Sequence, residues 1–304
     1  MSAIKFLKRK EIDEQKWNES IARASNSLPY AFSWYLDAVA ENWDALITND
    51  YETVMPLVWL RKFGIKCLYQ PYYCQQLGVF GISVTKQTQQ DFLNHIAEKF
   101  SYVSINLNPV SKIVSEEYKL RPKKNLLLEL NKDYNFIKKK YSENHRRNIK
   151  KAETAGITFS DTTELKQFQK FYIGNVNRKQ ENFKSKHEKI FKQLTATLIE
   201  KNAGQVFSAI AEGGKLVAAS MIITHQKRFI NIINTSSAQG KNTGASHFLF
   251  DKIIQKYAGT DTVLDFEGSS IPSIARFYQG FGAYEEIFYQ YHTSIIEKQK
   301  QRFL

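Results

Sequence analysis

The sequence predicts an α/β (α+β) chain of two tandem units, each a mixed, mostly antiparallel sheet flanked by helices. Three observations predict it. First, 304 residues with 42% hydrophobic content are enough to bury a sizeable core and to fill two domains. Second, short strand-like runs come in threes, followed by a helical run and one more strand. Third, that order occurs twice at nearly the same spacing while the residues hardly match, so architecture is repeated rather than sequence.

In the first unit, Trp43 to Ile47 is strand-like and Asn49-Asp50 marks a turn. Thr53 to Lys62 gives a second strand around Leu57, Val58 and Trp59, where Pro56 implies an edge or a bulge. Ile65 to Tyr69 is the third. An aromatic loop, Tyr72 to Phe80, leads to a helix over 87–100 with Phe92, Ile96 and Phe100 at i, i+4 and i+8. Val103 to Leu107 closes the pattern.

Asn125 to Leu130 reads as a strand, and KKKYSENHRRNIKK, 138–151, as one basic helical segment. Helices over about 162–174 and 186–202 follow. The second set of strands is Gln205 to Ala211, a tight turn at Glu212 to Lys215, Leu216 to Thr224 and Arg228 to Asn234. A polar glycine-containing loop, a helix over 245–257 and a strand at Thr262 to Phe266 complete it. The boundaries expected are 1–130, 131–290 and a 291–304 tail packing back on the first domain. No proline- or glycine-rich linker separates the units, so a cleft between them is a natural ligand site.

Composition narrows the function. The 13% aromatic content argues against a disordered chain. No apolar run of about 18 residues occurs, so no membrane span is expected. The charged MSAIKFLKRKEIDEQKW start lacks the core of a secretory signal, and the expected compartment is the cytoplasm. Cys67 and Cys74 are the sole cysteines, expected reduced and without a catalytic role. Six histidines lack ligand spacing, so no metal is expected. A net charge of +13 points to an anionic partner, whether cofactor phosphates, a nucleotide-linked substrate or RNA. No stable protein partner is evident.

The most informative segment is SAQGKNTGASHFLFDK, Ser237 to Lys252, between a strand and a helix. Its core is Gln239, Gly240, Lys241, Asn242, Thr243 and Gly244, with Ala245 opening the helix. Glycine, or asparagine tolerating positive φ, lets successive N–H groups converge on an anion. The helix start adds orphan donors and a positive dipole end. Next come VLDFEGSS, a strand ending in a polar turn, and IPSIARFYQGFGA, a helix closing on Gly280 and Gly282.

That order of loop, helix, strand and Phe-Tyr-x-Gly-Phe-Gly helix resembles the second half of a GNAT acyltransferase domain. The loop is similar to the GNAT acyl-CoA pyrophosphate motif Gln/Arg-x-x-Gly-x-Gly/Ala. Gln239 and Gly244 match, and Asn242 replaces the first glycine. The resemblance implies two tandem GNAT-like domains, the first degenerate. It also implies an acyl-CoA donor such as acetyl-CoA, an amine acceptor (a small molecule or nucleotide-linked), and Tyr278 as the acid that protonates the departing thiolate. The residues alone leave Phe277 and Tyr278 open as helix core.

SENHRRNIKKAETAGI, from Ser142, and DFEG…RFYQGFGA, from Asp265, are similar to segments of FemABX peptidyltransferases. Members of that family pass amino acids from aminoacyl-tRNA to a peptidoglycan precursor, so aminoacyl-tRNA is the alternative donor and tRNA the alternative partner. The family's lysine after phenylalanine is Tyr278 here, which favours the thioester. A third reading is a non-catalytic RNA- or nucleotide-binding module on the same scaffold, since the basic run at 138–151 suits phosphate contact. Arg178 resembles a FemABX cleft arginine able to grip phosphate bidentately, and is otherwise a solvated helix-end residue. Trp34, in Phe32-Ser-Trp-Tyr35, and Tyr73, in the aromatic loop, are candidate acceptor contacts; core packing is their other reading. Glu267 and Asp265 are candidate bases for the amine. Strand alternation places them on one face, opposite Leu264 and Phe266.

Overall fold

The structure, a computed structural model, describes residues 3–109, 120–177, 185–268 and 271–294. Chain contacts divide it into unit 1, Met1–Lys123 with Ile287–Leu304, and unit 2, Lys124–Glu286.

Unit 1 opens with strand β1 (Ile4–Lys8) and helices α1 (Glu14–Arg23) and α2 (Ser33–Val39). Asp13 caps α1 by accepting the Lys16 N–H. None of the three elements is among the expectations from sequence; α1 buries only Trp17, Ser20 and Ile21, too sparse a stripe to read as a period. Strands β2 (Trp43–Thr48), β3 (Thr53–Lys62) and β4 (Ile65–Tyr69) follow, then the two-residue β5 (Phe80–Gly81), α3 (Lys86–Lys99) and β6 (Tyr102–Leu107). β1, β2, β3 and β4 pair antiparallel in that order, and β6 runs parallel to β4. Helix α3 buries Phe92, Leu93 and Ile96 against Leu46, Leu57, Val103 and Ile105. Pro56 faces Ala45 of β2. On its other flank β4 joins β3 only from Trp59, and β5 only at Thr53 and Val54. A residue with no N–H fits such a gap in the ladder.

Unit 2 carries β7 (Leu120–Glu129, entering from Lys124), α4 (Tyr134–Lys139), α5 (Glu143–Thr154), β8 (Thr158–Ser160), α6 (Leu165–Asn177) and α7 (Ser185–Glu200). Then come β9 (Gly204–Ala211), β10 (Lys215–His225), β11 (Arg228–Ser236), α8 (Ala238–Thr243), α9 (Ala245–Tyr257), β12 (Val263–Asp265), α10 (Pro272–Gln279) and β13 (Tyr284–Ser294), which belongs to unit 1 from Ile287 on. The basic segment expected as one helix is two. Lys140, Tyr141 and Ser142 interrupt it, and Ser142 starts α5 by accepting the His145 N–H on its hydroxyl. β8, β9, β10 and β11 pair antiparallel, β12 lies parallel to β11, and β7 lies antiparallel to β12. Helix α9 buries Phe248, Leu249, Ile253 and Ile254 in the core under this sheet.

The two units share one topology: an antiparallel triplet, a helix, and a strand parallel to the triplet's last. Each also takes an antiparallel neighbour for that strand. In unit 1 it is residues 289–294 of β13, paired with β6; in unit 2 it is residues 127–129 of β7, paired with β12.

Candidate active site

The site begins with a parting of two strands. β12 pairs with β11 at only three positions, Arg228↔Val263 to Ile230↔Asp265, and β11 then continues to Ser236 with β10 as its one strand partner. Past Asp265 the chain turns to β7, where the Phe266 N–H donates to the Leu126 carbonyl at 2.9 Å. Gly268 follows with φ +49°, and a Cβ there would lie 2.2 Å from the Lys124 carbonyl oxygen, so only glycine lets the turn hug β7. The gap left beside β11 is a cavity of about 590 Å³, bordered by Asn231, Asn234 and Ser236 on one side and Phe266, Glu267 and Gly268 on the other.

Tyr278 stands in this gap. It lies on α10, which Pro272 starts at the first turn and which locks onto α5 at its far end. There the Ser142 N–H donates to the Gly280 carbonyl at 2.9 Å, and His145 Nε2 lies 2.7 Å from the Phe277 carbonyl. Gly280 makes room for that ring: a Cβ would fall 2.0 Å from His145 Cε1. Burial holds the His145 imidazole below its ordinary pKa, against the smaller opposing effect of the Phe277 carbonyl.

The Tyr278 side chain is only 3% exposed and stacks on Phe266 with ring centroids 4.5 Å apart. Its oxygen accepts two hydrogen bonds, from Asn231 Nδ2 at 3.1 Å and Asn234 Nδ2 at 2.7 Å. Residues three apart on a regular strand face opposite ways. Here the register slips between Met221↔Ile233 and Ile222↔Asn231, leaving Ile232 as an extra residue, and this bulge turns both asparagines to the same tyrosine. The Asn231 carbonyl in turn accepts the Ser220 hydroxyl at 2.6 Å. Burial pushes the phenol well above its ordinary pKa, while Asn234 and Asn231 pull it down and Glu267 adds a small upward push. Tyr278 is therefore a neutral, proton-bearing acid at physiological pH.

The remaining candidates from sequence separate. Of the segment 239–245, Lys241 lines the cavity, joined by Ser246 just beyond it. The expected open loop is helix α8, capped by the Ser237 hydroxyl accepting the Gly240 N–H at 3.0 Å; the Lys241 and Gly244 N–H groups bond within it. Its glycines serve packing. A Cβ on Gly240 would meet the Val217 carbonyl at 2.1 Å, and one on Gly244 (φ +78°) the Asn148 carbonyl at 2.4 Å. Gln239, Asn242, Thr243 and Ala245 are not in the lining, and the Thr243 hydroxyl turns back to the Gln239 carbonyl at 3.0 Å. What stays suited to an anion is the start of α9. Its first ladder bond is Phe248 N–H to Gly244 O, so the amides of Ala245, Ser246 and His247 precede it at the helix's positive end.

Glu267 lines the cavity with φ +57°, a costly conformation for a non-glycine residue. Asp265 does not line it. It is 1% exposed, its Oδ2 takes Arg228 at 2.7 Å and its Oδ1 accepts the Glu267 N–H at 2.8 Å, so it acts as a brace for the turn. The predicted alternation fails because β12 ends at Asp265, and Phe266 and Glu267 both border the cavity. Trp34 and Tyr73 belong to unit 1. Trp34 stacks on Phe32 at 5.8 Å, and the Tyr73 carbonyl accepts the Tyr35 hydroxyl. Arg178 lies outside the described residues. Among the described residues no group of three or more His, Cys, Asp or Glu could hold a metal, and no helix is long and apolar enough to cross a membrane. Asn231, Asn234 and Ser220 were missed, although asparagines inside an apolar strand, FINIINTS, are a readable signal.

A parted parallel pair, a buried phenol and a helix start thus meet at one cavity. Residues 139–270 match a family model described as an acetyltransferase (GNAT) domain. No curated relative matches the sequence. Among solved structures, FemX is similar with a TM-score of 0.65 at 10% identity, over 94% of this chain and 96% of that one. A conserved protein of unknown function from Bacteroides thetaiotaomicron gives 0.62 at 10%, over 96% and 100%. L-PGS from Bacillus licheniformis gives 0.51 at 12%, over 82% and 83%. Residues 139–270 thus carry a GNAT acetyltransferase domain, and the chain as a whole has a FemX-like fold.

Proposed function

We propose that unit 2 transfers an acyl group, acetyl in the simplest case, from acyl-CoA to an amine. The observation that carries this is Tyr278, whose oxygen receives two amide donors while its own proton is left for the cavity. The amine nitrogen forms a bond to the acyl carbon as the carbon–sulfur bond breaks. Tyr278 gives its proton to the departing sulfur, and Glu267, the carboxylate bordering the cavity, takes the proton the amine sheds. Lys241, Ser246 and the first amides of α9 are the groups suited to the donor's phosphates. A thioester supplies an acyl carbon already activated for attack. Glu267, held by its unusual backbone, keeps a defined place beside that reaction.

Aminoacyl-tRNA is the second reading, favoured by the exposed cations Arg147, Lys150 and Lys151 on α5, whose backbone touches Gly244 at the α8–α9 junction. Acetyl-CoA is expected to raise the melting temperature of the protein. Tyr278→Phe is expected to lower kcat about 100-fold or more while leaving donor KM within about twofold. A melting temperature raised by charged tRNA and untouched by acetyl-CoA favours the second reading. A Tyr278→Phe enzyme of normal kcat removes the acid role.

A further inference from the structure

Resting on that reading of Tyr278, we propose that Ser220 is a positioning residue which fixes the direction in which Tyr278 points its proton. Ser220 lies on β10, fully buried, and is not in the cavity lining. It touches nothing that reacts. Its hydroxyl makes one side-chain hydrogen bond among the described residues, 2.6 Å to Asn231 Oδ1.

A side-chain amide is ambivalent. Turned one way, Asn231 offers N–H to the phenol; turned by half a rotation, it offers a carbonyl that would draw the phenol's proton to itself. The two states look alike in shape and differ completely in consequence. In the first, both acceptor positions of the Tyr278 oxygen are occupied, by Asn231 and Asn234, and the proton has only the cavity to face. In the second, the proton is turned into the sheet and is lost to the leaving group.

Ser220 decides between them. Its proton is deeply buried and needs an acceptor, because an orphaned buried donor is costly. Asn231 Oδ1 is that acceptor only while Nδ2 faces Tyr278. Rotating the amide would take from the serine proton its side-chain acceptor among the described residues. Asn231 is itself 2% exposed, so water does not relieve the conflict. The ladder supports the same geometry: Ser220 sits directly opposite Asn234, with the Ile232 bulge between Asn234 and Asn231. A polarised line therefore runs Ser220 to Asn231 to Tyr278, every donor aimed toward the cavity.

The test is CoA release from acetyl-CoA by the full chain, with and without an amine acceptor, in a double-mutant cycle. Ser220→Ala is expected to lower kcat about tenfold with donor KM unchanged, and Ser220→Thr, which keeps the donor, to restore most of it. Asn231→Asp, whose carboxylate can only accept, is expected to be as slow as Tyr278→Phe although the phenol is intact. On top of Tyr278→Phe, Ser220→Ala is expected to cost nothing further. Two results overturn the proposal while the acid role stands: a Ser220→Ala enzyme with normal kcat, or an equal loss with and without Tyr278. Normal kcat in Tyr278→Phe overturns the acid role itself, and this inference with it. Should Ser220→Ala fail to fold, Asn231→Asp with normal kcat overturns the proposal equally.

Discussion

At position 244 the chain tolerates only a hydrogen. The residue sits at φ +78°, and a Cβ would be driven to 2.4 Å from a backbone carbonyl of α5, an atom that cannot swing aside. Gly244→Ala is expected to destabilise the protein by about 3 kcal/mol, read as a lower urea midpoint at unchanged slope, and to do so whether or not acyl-CoA is bound. The same residue shows how far sequence carries at this scale. Gln239 to Gly244 was legible as a special turn before a helix, but a glycine needed for an approaching phosphate and one needed for an approaching helix look identical in one dimension. The place of Tyr278 near the end of its helix was legible because a recognisable order of elements surrounds it. Its asparagine partners were not, since nothing local announces the bulge at Ile232 that turns them the same way.

At the scale of elements, β3 and β4 run over the expected residues, Thr53–Lys62 and Ile65–Tyr69, because their hydrophobic runs end at a clear turn. That turn holds a local conflict. Phe63 and Gly64 both take positive φ, +49° and +76°, the pattern of a type I′ hairpin in which asparagine is favoured at the first position. Phe63 is instead a bulky side chain, 91% exposed, and gains little packing for the strain. Phe63→Asn is expected to stabilise the protein by about 0.5–1 kcal/mol, seen as a higher melting temperature. The basic run at 138–151 was misjudged at this scale for a simple reason. Charge and helical spacing continue through Ser142, and only its capping hydrogen bond shows that one helix ends and another begins.

Over the molecule as a whole, pH acts through buried imidazoles. His247 and His225 are both held down to about 4, chiefly by burial, with His145 a lesser influence on the first and Arg228 on the second. An unfolded histidine takes up a proton near pH 6.5, whereas these two stay neutral until about 4. Below pH 6.5 the unfolded chain therefore binds more protons than the folded one, and stability falls as pH drops toward 4, then levels. The loss expected between pH 7.5 and 4.5 is on the order of 2 kcal/mol for the pair, allowing for their partial exposure. Urea unfolding at several pH values measures it, and His247→Phe should flatten the slope.

The strand that completes unit 1 comes last in the chain, and that has a consequence for synthesis. Unit 2 is a continuous stretch, so its residues are all synthesised before 289–294, the antiparallel neighbour that β6 in unit 1 awaits. The earlier-made unit is thus the later to be finished. Cutting the chain after Glu286 would leave unit 2 whole in sequence and strip a strand from unit 1, exposing the backbone of β6 as an adhesive rim on which truncated chains would aggregate.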